Sequence, residues 1–150
     1  MDTNLPALMN NPVFQTYGLV SAALVVILYG LGFWTAKTRA NRKQVLNSED
    51  VVVAKGAVAV DVEHVDVQRI KRAHLNAIEN AVPFFVIGFL YSQTSPNPKL
   101  ASGLFFTFLG LRLFHAIFYL GARQPFRTIS FALGALVNLV MVVQVVRAMV

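Results

Sequence analysis

Apolar residues along the chain gather into four blocks, Val13 to Ala36, Ala81 to Tyr91, Leu100 to Leu120 and Ile129 to Val146, with polar segments between them. A helix that crosses a bilayer needs about 20 residues, with about 17 as a lower limit. The second block is too short alone and reaches that length when its helix starts near Arg72. The pattern predicts helices over about 12–37, 66–91, 99–120 and 126–149, joined into an all-α, four-helix membrane bundle in a single domain over 1–150. Asn11-Pro12 is a helix start. "SQTSPNPK" (Ser92 to Lys99) and "GARQPFR" (Gly121 to Arg127) are short turns that make the second, third and fourth helices antiparallel neighbours. Gly18, Gly30 and Gly32 favour close helix packing in lipid, and Pro83 is expected to kink the second helix.

The longest polar segment, about 38–65, resists assignment. "NSED" (Asn47 to Asp50) offers a cap or turn, and the valines of "VVVAKGAVAVDVEHVDV" favour extended chain. A segment this long usually has a role, and it is expected to fold back over the cytoplasmic face.

Composition sharpens the membrane reading. The chain is 56% hydrophobic and 13% charged, against roughly 45–50% and about 25% for soluble domains. The first block lacks a basic n-region and is too long for a signal peptide, so it is expected to remain as a span. There is no cysteine, which excludes disulfides and thiolate metal sites. Any sulfur chemistry needs a substrate that brings the sulfur. The net charge of +6 is uneven. Lys37, Arg39, Arg42, Lys43, Lys55, Arg69, Lys71, Arg72, Arg123 and Arg127 fall on one side of the membrane, Lys99 and Arg147 on the other. Positive residues mark the cytoplasmic side, so both termini are expected outside. Topology accounts for the basic residues, and nucleic acid is not expected as a partner.

The start of the second helix, "RIKRAHLNAIENAVPFF" (Arg69 to Phe85), is unusually polar for a span. At about 100° per residue, Arg69, Arg72, Asn76, Glu79 and Pro83 share one face. Arg112, His115 and Tyr119 align on the third helix, and Arg127, Ser130, Phe131, Gly134 and Asn138 on the fourth. The three stripes are placed to converge. A charge at mid-span costs about 2.5–3.5 kcal/mol on insertion scales, so Glu79 and Arg112 are expected to face the interior. They pair there as a structural ion pair or serve a site; both readings stand. His74 lies around the helix from Arg72 and Glu79, no HxxxH pair exists, and no metal site is expected. Tyr119 fits an interfacial belt as well as a site, whereas Arg42 and Lys43 read as topological markers.

"RAHLNAIENAVPF" (Arg72 to Phe84), "RLFHAIFYL" (Arg112 to Leu120), "QPFR" (Gln124 to Arg127) and "LNSED" (Leu46 to Asp50) together resemble the MAPEG superfamily of membrane-associated glutathione and eicosanoid enzymes. The resemblance runs from Tyr29 through the fourth helix. It is stronger to the type 1 microsomal glutathione transferase branch than to the type 1 microsomal prostaglandin E synthase branch. It implies a homotrimer that binds glutathione, as substrate or cofactor, between subunits in the cytoplasmic half of the membrane. By the same resemblance Arg72, His74, Asn76, Glu79, His115 and Tyr119 contact glutathione. Arg127 and Thr128 lie near the thiol, Arg39 comes from the neighbouring subunit, and Asp50 is tied to catalysis. Leu75 and Phe131 depart from the synthase branch, and the turn between Tyr119 and Arg127 is shorter than in either branch.

The chemistry of the residues agrees with this reading. Glutathione carries two carboxylates and an ammonium, which arginine forks and Glu79 suit. Its thiol, with a pKa of about 8.5, needs a nearby cation to ionise at neutral pH. The expected function is a glutathione transferase acting on lipophilic electrophiles, with lipid hydroperoxide peroxidase activity. The alternatives are a prostaglandin E synthase-like isomerase and a non-catalytic lipid-binding scaffold. A small transporter subunit would need a through-going polar path, and the far half of each helix is too apolar to supply one. The membrane is expected to be a bacterial inner membrane or endoplasmic reticulum.

Overall fold

The computed structural model describes residues 8–150. Four long helices dominate: α1 (Pro12–Asn41), α2 (Val65–Gln93), α3 (Pro98–Leu120) and α4 (Phe126–Met149). Each is long and apolar enough to cross a membrane. At 1.5 Å per residue the shortest is roughly 35 Å long, more than the hydrocarbon thickness of about 30 Å.

Local chemistry sets the helix starts. Asn11 Oδ1 accepts from Val13 N at 2.9 Å and Phe14 N at 3.3 Å, with Pro12 at the first helical position. Asn97 does the same for α3, accepting from Lys99 N at 3.0 Å and Leu100 N at 3.3 Å ahead of Pro98. Each asparagine satisfies amides that the first turn leaves without partners, and proline removes one more. Pro83 does not end α2, which continues to Gln93. The carbonyl one turn before a proline loses its helical partner, a loss that spanning helices tolerate through their neighbours.

The helices close around Val20, Leu24, Phe84, Phe105, Phe108 and Met141. Phe84 and Phe108 stack at 4.5 Å between α2 and α3. Tyr17 is the link from α1: its hydroxyl donates to the Phe85 carbonyl at 2.8 Å, and its ring lies so close to Gly88 that a Cβ there would sit 3.1 Å from it. Glycine at 88 is thus what lets α1 and α2 approach.

The 38–65 segment is where the structure adds most. The helix expected to stop near Lys37 runs on to Asn41. Arg39 in its last turn suits a helix C-terminus, and Arg39 and the C-cap residue Arg42 both find acidic partners beyond the helix. Lys43, at φ 51°, turns the chain out of the helix. There β1 (Gln44–Val45) pairs in parallel with β2 (Val58–Ala59), and a 3-10 turn (Ser48–Val52) fills the connection. Glu63 then latches the segment down. Its buried carboxylate accepts from Arg39 Nε and from Lys71 Nζ, each at 2.6 Å, tying the end of α1 to the start of α2. Burial pushes the Glu63 carboxyl up, but the hydrogen bonds and charges of Lys71 and Arg39 outweigh it and hold it below the usual carboxylate range. Arg42 pairs with Asp66 beside this latch.

Candidate functional site

Three of the four helices contribute to one cleft. It measures roughly 240 Å³ and is lined by Asn76 of α2, His115 and Tyr119 of α3, and Arg127, Thr128 and Phe131 of α4. All six of these residues, each singled out from the sequence, therefore meet here. Their assembly follows from chain geometry: the turn 121–125 is short, so the end of α3 and the start of α4 lie side by side.

Arg127 is the one charged residue lining the cleft. Its guanidinium carbon lies 4.7 Å from the centre of the Tyr119 ring, which restrains it by cation–π attraction. With its amide oxygen turned toward Arg127, Gln124 accepts from Nη2 at 2.6 Å and Nε at 3.2 Å and donates to Thr128 Oγ1 at 3.0 Å. That orientation satisfies all three groups. Gln124 thus positions both Arg127 and Thr128, a role the sequence reading missed. Its signal was available, since Gln124 and Thr128 are four residues apart across a helix start. Arg127 forms no ion pair among the described residues, and the adjacent N-terminus of α4 adds positive potential. The cleft therefore suits an anion.

His115 is held from the other side. Its Nδ1 lies 2.9 Å from the Arg127 carbonyl, and a carbonyl only accepts, so Nδ1 carries the proton in this contact. Nε2 is buried and has no partner among the described residues. The ring also packs edge-on to Tyr119, with centroids 5.7 Å apart.

Arg112 sits beneath the cleft and corrects an expectation. No Glu79–Arg112 ion pair forms. Arg112 Nη2 instead donates to the carbonyls of Ser130 at 2.9 Å and Phe131 at 3.1 Å, and the guanidinium lies against the rings of Phe108 and Phe131. The guanidinium occupies the space beside Gly134, where a Cβ would collide with it. Arg112 is buried, whereas Glu79 is exposed on the opposite aspect of α2. The physical reason is that α4, with two reachable carbonyls and a glycine, lies nearer to Arg112 than the outer face of α2. Within the single chain, Glu79 does not face the helix-bundle interior.

The remaining candidates lie outside the cleft. Arg72 is exposed, reaches Gln68 Oε1 at 3.2 Å, and lines a neighbouring groove with Lys71 and Leu75. His74 faces α1, with its Cε1 3.5 Å from where a Gly32 Cβ would stand. Arg39 is taken by Glu63. Asp50 is exposed on the 3-10 turn, where it accepts from Asn47 at 3.2 Å. Among the described residues no three His, Cys, Asp or Glu side chains gather as a metal site requires.

Comparison with known proteins places this arrangement. The MAPEG family model matches residues 17–147. Microsomal glutathione S-transferase 1 of Homo sapiens is 36% identical over 97% of this chain and 96% of its own length. Prostaglandin E synthase of Bos taurus is 36% identical over 93% of this chain and 91% of its own, and that of Homo sapiens 35% over 85% and 84%. With four spanning helices, three of which build one cationic cleft, and a family match across nearly its whole length, this multi-pass membrane protein belongs to the MAPEG family.

Proposed function

We propose that the chain is a membrane-bound glutathione transferase that ionises glutathione in the Arg127 cleft and conjugates it to lipophilic electrophiles. The observation that carries this reading is the gathering of Asn76, His115, Tyr119, Arg127 and Thr128 around a space whose only charge is positive. A thiol brought there loses its proton more readily, because the guanidinium and the start of α4 stabilise the thiolate. The sulfur attacks the electrophilic carbon, a carbon–sulfur bond forms, the leaving group departs with its electrons, and the thiol proton goes to solvent. The electrophile comes from the lipid around the apolar faces of α1 and α4. Toward a lipid hydroperoxide the same thiolate takes the terminal oxygen, the O–O bond breaks to leave the alcohol, and a second glutathione converts the resulting sulfenic acid to glutathione disulfide and water. Asp50 and Thr128 are further catalytic candidates. Arg39, Arg72, His74 and Glu79 are candidates for holding the tripeptide.

The lone chain leaves Arg72 and Glu79 exposed on a spanning helix, where contact with lipid is costly. A ligand and a second subunit covering that face remove the cost, which supports a homotrimer with glutathione between subunits. Both termini then face away from the cytoplasm, in a bacterial inner membrane or the endoplasmic reticulum. The prostaglandin E synthase relatives favour a second reading, a glutathione-dependent isomerase, and a non-catalytic lipid-binding scaffold is the third.

Conjugation of glutathione to chlorodinitrobenzene by the detergent-purified protein separates the three. Turnover that Arg127→Ala abolishes supports the transferase. Isomerisation of a prostaglandin endoperoxide without conjugation supports the second, and neither activity leaves the scaffold.

A further inference from the structure

We propose that the end of the bundle carrying the α2–α3 turn holds a second site, which binds the phosphate of an anionic phospholipid headgroup. A cleft of roughly 330 Å³ opens there, lined by Tyr91, Thr94, Asn97, Leu100, Gln144 and Arg147 among others, and none of its lining residues is acidic. It is distinct from the Arg127 cleft, lying 20 residues further along α4, or about 30 Å.

The lining side chains offer donors. Arg147 supplies a guanidinium that forms no ion pair among the described residues, and guanidinium forks match phosphate oxygens. Asn97, which lines the cleft, spends its side-chain oxygen on capping α3, which leaves its amide nitrogen as a donor. Gln144 adds a second amide. Tyr91 lies at the base, 1% exposed, with a buried hydroxyl that has no partner among the described residues. Buried polar atoms without partners are uncommon and call for an explanation. The dipole of α4 alone would favour an arginine in its last turn, but it gives no reason for two amides and a hydroxyl to surround one cleft with it.

Position selects the lipid over a free anion. The cleft sits where spanning helices end, at the depth of headgroup phosphates. Leu100, which lines the cleft, is exposed and gives an acyl chain an apolar surface to follow.

Native mass spectrometry of the full chain in mild detergent tests this, with phosphatidylglycerol, phosphatidylcholine and inorganic phosphate as separate probes. Phosphatidylglycerol should be retained over phosphatidylcholine, whose choline cation offsets the phosphate charge and finds Arg147 but no acidic partner in the cleft. Arg147→Gln should weaken that retention about tenfold, as expected for one lost charged contact. Lys99→Gln, a cation at the same end that does not line the cleft, should leave it unchanged. Equal retention of the two lipids, no effect of Arg147→Gln, or equal losses in both variants would overturn the proposal. Binding of inorganic phosphate with no preference for either lipid would overturn the lipid as its occupant.

Discussion

Arg127 and Arg112 are two arginines at the same end of α3 and α4 with opposite fates. Arg112 is enclosed by carbonyls, aromatic rings and the space beside Gly134, whereas Arg127 lines an open cleft. The first is expected to act on the fold and the second on chemistry. Gly134→Ala should collide with the guanidinium and cost about 1–3 kcal/mol, the range for overpacking a tight core. Thermal unfolding in detergent checks this, and a variant as stable as wild type would mean that Arg112 moves aside freely. Arg72→Ala should chiefly weaken glutathione binding, by roughly 1.5–3 kcal/mol for one charged hydrogen bond, with turnover at saturation little changed. Titration calorimetry beside steady-state rates separates the two effects. The polar stripes on α3 and α4 were legible in the sequence because helical periodicity places side chains that share a face. Partner choice was not. Periodicity puts Glu79 and Arg112 at similar depth, but says nothing of the backbone carbonyls that Arg112 found instead.

The four helices were readable because block length, caps and prolines all mark the same boundaries. The 38–65 segment was not, since its strands are two residues each and owe their pairing to contacts distant in sequence. Glu63 is the clearest example, an acid whose burial depends on Arg39 and Lys71. Because its carboxyl is held below its ordinary value, the latch contributes fully above the unfolded carboxylate pKa of about 4.3. That contribution is lost as pH falls through the lower folded value. Glu63→Gln should therefore speed hydrogen exchange across residues 44–63 at neutral pH. It should also flatten the loss of stability on acidification. Identical exchange in variant and wild type would mean that the strand pair holds the segment without the latch.

For the whole molecule, the proposed homotrimer would cover the exposed arginine and glutamate on α2. If Arg39 serves the site of a neighbouring subunit, it must exchange Glu63 for that role. Chains carrying Arg39→Ala and Arg127→Ala should then be inactive separately and regain activity when reconstituted together. No recovery at any ratio would place each site within one subunit. Under the proposed function, the Arg127 cleft holds glutathione and ionises its sulfur. The most direct test is the ultraviolet thiolate absorbance of glutathione bound to the detergent-purified protein, titrated against pH. Wild type should show thiolate at neutral pH, with an apparent pKa below the free thiol's value of about 8.5, and Arg127→Ala should move the titration upward. A wild-type titration no different from free glutathione, or one that Arg127→Ala leaves unmoved, would mean that Arg127 does not activate the sulfur.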